Sequence, residues 1–271
     1  MYLKIMGAIL SIVGGVSFAF AAENVTFNGS EKDSKGDPLG LIGRMTKPEG
    51  DGPFPAVVLL HGCGGISKRR DHVWAKRLVG WGYVALQVDS FKPRGESNVC
   101  SNRSLSGTMV ALRAQDAHDA KAYLSGLPFV DKDRIAVMGW SHGGSSTLAA
   151  ISSMGWKKKP KTGELFRAAV AFYPYCRDRL DRMEAPLLIL IGDSDDWTPA
   201  DMCEKNMPTR WKPKSDVMLK VYPDSYHGFD TEGADIQVMG VGKSHRVRFN
   251  AAATGDAIVQ VKQFLDKYLA K

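Results

Sequence analysis

Gly139-Trp-Ser141-His-Gly143, followed by Gly144, sets a serine among glycines where an apolar run, Arg134 to Trp140, gives way to a helical stretch ending near Ser153. A serine on a sharp strand-to-helix turn needs small neighbours, because a Cβ on either flank would clash within the bend; G-x-S-x-G marks such a turn. A serine hydroxyl is a poor nucleophile until a base removes its proton, so a histidine and an orienting carboxylate should accompany Ser141. They follow it in the chain order Ser…Asp…His. The run Leu187 to Ile191 ends in Gly192-Asp-Ser-Asp195-Asp196-Trp-Thr-Pro199, and the run Val217 to Tyr222 is followed by Pro223-Asp-Ser-Tyr-His227-Gly-Phe229. His227, flanked by Gly228, is the expected general base. Asp193, Asp195, Asp196 and Asp224 all compete for the carboxylate, and at least two must be turn, capping or solvated residues. Asp195 is favoured, with Asp196 the alternative.

Attack on a carbonyl leaves negative charge on its oxygen, and preorganised backbone N–H groups stabilise that charge by about 3 kcal/mol each. The residue after the nucleophile, His142, is the expected first donor. The second is expected from His61-Gly-Cys63-Gly-Gly65, where glycines let the backbone approach a substrate closely, with Cys63 N–H as the candidate. A thiolate role for Cys63 competes but lacks a surrounding elbow. The rings of His61 and His142 are expected to be structural or pocket-lining.

These residues need elements to hold them. Val25–Phe27 and Leu39–Met45 have the look of edge strands, and Pro55–Leu60, Tyr83–Val88, Arg134–Trp140, Ala168–Tyr173, Leu187–Ile191 and Val217–Tyr222 of further strands. The short continuous apolar runs among them suit strands buried on both faces. Helical stretches are expected at 69–79, 108–124, 141–153, 200–211 and 251–269. The alternation predicts an α/β chain with a mostly parallel sheet of about eight strands covered on both faces. Chemistry in such sheets sits in loops leaving the carboxyl ends of the strands, and every motif above falls at one. With no internal repeat or Pro/Gly linker, residues 22–271 are expected to form a single domain.

The 271 residues are 44% hydrophobic and 24% charged, an ordinary globular balance that excludes disorder and a multi-span membrane protein. The formal charge of +7 is a mild excess; a solvated basic surface explains it, with anionic substrates the alternative. Trp156-Lys-Lys-Lys-Pro-Lys161 is a basic surface loop with no aromatic platform nearby in sequence, so no nucleic-acid role is expected. Lys4, the apolar run Ile5–Phe18 and Ala19-Phe20-Ala21 have the layout of a secretory signal peptide cleaved after Ala21, an uncleaved anchor being the alternative. The implied compartment is outside the cytoplasm: periplasm in a Gram-negative source, extracellular otherwise. There, Cys63, Cys100, Cys176 and Cys203 can form two disulfides, and three pairings are open. No C-x-x-C or H-E-x-x-H spacing supports a metal site. Gly240-Val-Gly-Lys-Ser244 echoes a P-loop end, but Gln237 stands where its first glycine belongs.

Together, H-G-C-G-G at 61–65, D-S-F-K-P-R-G at 89–95, G-W-S-H-G-G at 139–144, D-D-W-T-P at 195–199 and H-G-F at 227–229 resemble the dienelactone hydrolase family of the α/β-hydrolase superfamily, over about residues 38–270. The resemblance implies an α/β-hydrolase fold and places the acid four residues before Pro199, at Asp195. Dienelactone hydrolases carry a cysteine at the elbow; with Ser141 there instead, a serine esterase is implied. Secreted relatives imply the pairs Cys63–Cys100 and Cys176–Cys203. The family's anionic substrates imply Arg94 and Arg103 as partners for a substrate carboxylate, with loop ordering the favoured reading for Arg94, and Trp140 and Trp197 are the other expected substrate contacts.

The expectation is therefore an exported serine hydrolase of small-molecule esters or lactones, acting without a cofactor. A peptidase or acyltransferase on the same triad is the rival within enzymes, though no added propeller or large lid domain is evident. A non-catalytic binding module with a hydrolase fold is the rival outside them.

Overall fold

A computed structural model of the chain describes residues 22–153, 165–177, 179–208 and 215–270. The expected signal peptide at 1–21 and the basic segment 156–161 lie outside the described residues. The apolar runs form strands: β1 (Ala22–Lys32), β2 (Pro38–Thr46), β3 (Phe54–Leu60), β4 (Val84–Asp89), β5 (Val130–Trp140), β6 (Ala169–Phe172), β7 (Leu187–Gly192) and β8 (Val217–Tyr222). They make one eight-stranded sheet in the order β1-β2-β4-β3-β5-β6-β7-β8. β1 pairs antiparallel with β2, and β2 antiparallel with β4; the remaining pairs, from β4 to β8, are parallel.

Burial follows position in that order. Val57, Val58, Leu59 and Leu60 of β3 and Leu187, Ile189, Leu190 and Ile191 of β7 are sealed in the core, as interior parallel strands must be. The edge strand β8 instead alternates exposed and partly buried residues, the pattern of one solvated face.

Among the described residues, five α-helices lie among the strands: α1 (Asp71–Gly80), α2 (Arg103–Ser125), α3 (His142–Ile151), α4 (Ala200–Asn206) and α5 (Ala251–Leu269). This is the α/β-hydrolase architecture, a mostly parallel sheet with helices packed on it. Helix α2 begins at Arg103, earlier than the expected 108, because Asn102 caps it: the Asn102 side chain accepts from Leu105 N–H at 3.0 Å. Asn250 caps α5 in the same way, accepting from Ala252 and Ala253 N–H at 3.1 Å each. Helix α4 stops at Asn206, short of the expected 211, with Pro208 close behind; residues 209–211 lie outside the described residues.

One element is absent from the sequence-based expectation. Residues 223–250 contain an antiparallel hairpin, β9 (Asp235–Met239) and β10 (Ser244–Arg248). The P-loop-like segment is its turn, where Gly240 N–H donates to Lys243 C=O at 2.9 Å and Gly242 takes φ +82°.

Candidate active site

The loops leaving β3, β5, β7 and β8 converge at one edge of the sheet. At the end of β5, Ser141 has φ 55° and ψ −117°, a strained conformation for a residue with a Cβ, and α3 starts at the next residue. The flanking glycines are required by contact. A Cβ on Gly139 would run into the Gly143 carbonyl, and one on Gly143 into the Leu60 carbonyl of β3. The elbow thus packs backbone to backbone against the strand beside it.

Ser141 Oγ stands 2.8 Å from His227 Nε2, and His227 Nδ1 stands 2.7 Å from Asp195 Oδ2. With Asp195 ionised, Nδ1 carries the proton and donates, leaving Nε2 to accept from the serine hydroxyl. All three residues are buried. Asp195 is the carboxylate in contact with His227. Its neighbour Asp196 turns outward, half-exposed, toward Lys243 Nζ at 3.8 Å and His245 Nδ1 at 3.4 Å.

Asp195 is held by its own turn. Its Oδ1 accepts from Trp197 N–H at 2.9 Å and Thr198 N–H at 2.8 Å. Thr198 Oγ1 lies 3.0 Å from both Asp195 Oδ2 and the Tyr173 carbonyl, so its single proton serves one of them at a time. Burial pushes the Asp195 carboxyl up, but the His227 ring and the N–H groups of Thr198 and Trp197 outweigh it and hold the carboxyl below its usual range. The turn is knitted to the loop carrying His227: Ser194 N–H donates to Ser225 C=O at 3.1 Å, and a Cβ on Gly192 would collide with that carbonyl. Tyr173 and Trp197 flank the His227 ring, with centroids 4.6 and 4.9 Å away. The β9–β10 hairpin braces the far side, where Arg248 N–H donates to His227 C=O at 3.2 Å and His245 stacks on Trp197 at 4.8 Å.

Neither Cys63 N–H nor His142 N–H has a hydrogen-bond acceptor among the described residues, and both residues line a cavity of about 850 Å³ that opens on Ser141. His142 begins α3, whose N-terminal N–H groups and dipole favour negative charge there. The His142 ring is pushed down to about 3 by burial and by the Arg113 charge, so it stays neutral at ordinary pH. His61 is likewise held well below its usual range, first by burial and then by Arg113.

The disulfides Cys63–Cys100 and Cys176–Cys203 are both present. The first ties the loop after β3 to the segment before α2, where Val99 N–H also donates to Cys63 C=O at 2.9 Å.

Two expected substrate contacts are placed elsewhere. Arg94 lies away from the cavity, its guanidinium spanning Asp116 at 2.8 Å and Glu31 at 2.6 Å, so it ties β1 to α2. Trp140 is fully buried under the elbow and donates from Nε1 to Asp230 Oδ2 at 2.9 Å. Trp197 and Arg103 do line the cavity, together with Arg177, Lys243 and His245, which the sequence did not single out. Thr198 sat within the quoted D-D-W-T-P motif without a role. His245 had a weak signal: its place in the alternation Ser-His-Arg-Val-Arg across from Asp-Ile-Gln-Val-Met.

The chain is similar to known proteins in sequence and in fold. A Bradyrhizobium protein named "Probable 2-oxo-3-(5-oxofuran-2-ylidene)propanoate lactonase" is 23% identical over 202 residues, covering 68% of this chain and 77% of its own. Among solved structures, the dienelactone hydrolase-like promiscuous phosphotriesterase P91 from metagenomic libraries superposes with a TM-score of 0.67 at 20% identity, over 93% of this chain and 99% of that one. The dienelactone hydrolase of Anabaena variabilis superposes with a TM-score of 0.64 at 18% identity, over 92% and 99%. The model of the dienelactone hydrolase family matches residues 41–269, from β2 to the end of α5, and the chain belongs to that family.

Proposed function

We propose that the chain is a serine hydrolase of carboxylic esters or lactones, with Ser141 as nucleophile, His227 as general base and acid, and Asp195 as the group that orients His227. The observation that carries this reading is the unbroken contact from Asp195 through His227 to Ser141 Oγ, at 2.7 and 2.8 Å, on a strained elbow. Ser141 Oγ attacks the carbonyl carbon as its proton passes to His227 Nε2. The oxyanion settles between the N–H groups of Cys63 and His142. Collapse breaks the bond to the alcohol oxygen, which takes the proton from Nε2. Water then repeats the sequence on the acyl-enzyme, releasing the acid and restoring Ser141. Asp195 stays ionised throughout and stabilises the imidazolium that forms. The residues named supply nucleophile, proton carrier and oxyanion donors, so the chemistry proceeds without a cofactor.

Small esters and lactones fit a cavity of about 850 Å³, and the names of the lactonase and dienelactone hydrolase relatives support that class. The signal-peptide layout and the two disulfides support export to an oxidising compartment. Treatment with an alkyl fluorophosphonate should add one phosphonyl group by intact mass, mapped to the Ser141 peptide and lost in Ser141→Ala. A folded protein that takes no adduct would refute the proposal.

A further inference from the structure

We infer that Arg113 is the positioning residue of the oxyanion hole: one buried guanidinium joins the two chain segments that carry its donors. The inference rests on the proposed serine chemistry. Arg113 lies in the middle of α2, fully buried, and contributes no atom to the cavity lining. Its Nη2 donates to the His61 carbonyl at 2.6 Å, two residues before Cys63. Its Nη1 donates to His142 Nδ1 at 2.6 Å. The opposite ring nitrogen, His142 Nε2–H, donates to the Ser106 carbonyl at 2.9 Å, so the ring is fixed at both ends. Cys63 and His142 belong to different elements, the loop after β3 and the start of α3. The rigid fork of one guanidinium sets the distance between them, a task the single point charge of a lysine cannot perform.

The site invests in this arrangement. No carboxylate among the described residues pairs with Arg113, and its Nε is buried without a partner. Phe91 lies under the guanidinium, 5.0 Å from ring centroid to Cζ, and also meets the His61 ring edge-on at 4.6 Å. Burial pulls the Arg113 guanidinium down to about 9, with the more distant Asp116 and Asp71 only partly opposing that. A buried cation without a partner is costly to the fold. Here its two hydrogen bonds are spent on the two arms that hold the oxyanion donors.

Donors misplaced by a fraction of an ångström cost transition-state binding and leave substrate binding intact. Arg113→Met keeps an unbranched apolar stem while removing the fork. It is expected to lower kcat by about 10²-fold with KM within about twofold. It should weaken a trifluoromethyl ketone, which forms a tetrahedral oxyanion on serine, by a similar factor, while the parent methyl ketone binds as before. Arg113→Lys, able to reach one acceptor but not both, should fall between the two, and it carries the test if Arg113→Met does not fold. A folded variant with kcat within threefold of the parent, or one whose loss lies in KM with ketone and trifluoroketone weakened alike, overturns the inference. Fluorophosphonate labelling of the unsubstituted protein keeps this separate from the serine-hydrolase reading. If that protein is not labelled, the chemistry itself is wrong; if it is labelled and Arg113→Met turns over normally, only the role of Arg113 falls.

Discussion

Ser141→Ala is expected to reduce kcat on a short activated ester by about 10⁵- to 10⁶-fold, and His227→Ala by nearly as much. In the proposed mechanism the two act as a unit. Without the imidazole the Ser141 hydroxyl keeps its proton, and without the hydroxyl the imidazole has nothing to activate, so the double variant should be no slower than either single one. Asp195→Asn should lose about 10⁴-fold, because an amide can donate to Nδ1 and so favour the wrong tautomer of His227. The proposed oxyanion donors, the N–H groups of Cys63 and His142, remain in every one of these variants, so a residual rate of about 10³-fold over water should survive. Initial rates on p-nitrophenyl acetate, corrected for the buffer reaction, measure the series. Additive losses in the double variant would show that Ser141 and His227 do not work in one step. A folded Ser141→Ala that keeps its activity would move the chemistry to another residue.

The legible parts of this protein are those whose cause is local in sequence. The strands β3 and β7 are apolar along their length because both faces are covered, and that composition identifies them without tertiary information. The elbow is legible because a tight turn excludes a Cβ at Gly139 and Gly143 whatever surrounds it. Asp195 and Asp196 are the counter-example. Both are aspartates in one turn, and only the approach of the β8 loop decides that Asp195 meets His227 while Asp196 faces Lys243 and His245. Arg94 stands beside a recognisable motif, yet its partners Glu31 and Asp116 lie 63 and 22 residues away, beyond what spacing can reveal. The β9–β10 hairpin did leave a trace, an alternation on either side of Gly240 and Gly242, which its many charged residues obscured. Arg113 left none, because a lone arginine in a helical stretch is indistinguishable from a solvated one until its burial is known.

Asp230→Ala is expected to destabilise the protein by more than about 4 kcal/mol, although Asp230 touches neither Ser141 nor the cavity. Its carboxylate is buried beneath the loop that carries His227 and collects three side-chain donors. Oδ2 accepts from Trp74 Nε1–H at 2.8 Å and from Trp140 Nε1–H at 2.9 Å, and Oδ1 accepts from Tyr173 O–H at 2.6 Å. Those donors come from α1, the end of β5 and the turn after β6, so one carboxylate ties three elements to the His227 loop. Burial pushes the Asp230 carboxyl up, and the nearby Arg70 charge with the three donors works against that rise. Truncation to alanine strands two indole N–H groups and a phenol without acceptors, removes the charge that faces Arg70, and leaves a void among Trp74, Trp140 and Tyr173. Each stranded donor costs about 1–3 kcal/mol, so the sum exceeds what any single surface contact contributes. At about 2–4 °C per kcal/mol for a chain of this size, the melting temperature should fall by roughly 10 °C or more. Asp230→Asn separates the hydrogen bonds from the charge: its carbonyl oxygen still accepts from the indoles while its amide faces the phenol oxygen, and a loss of only about 1–2 kcal/mol is expected. Urea unfolding of the three proteins, followed by tryptophan fluorescence, gives both differences directly. If Asp230→Ala melted within about 2 °C of the parent, Trp74, Trp140 and Tyr173 would have found other acceptors, and the His227 loop would owe its position to its remaining contacts, among them the β9–β10 hairpin, Asp195, Asn250 and the Ser194–Ser225 bond.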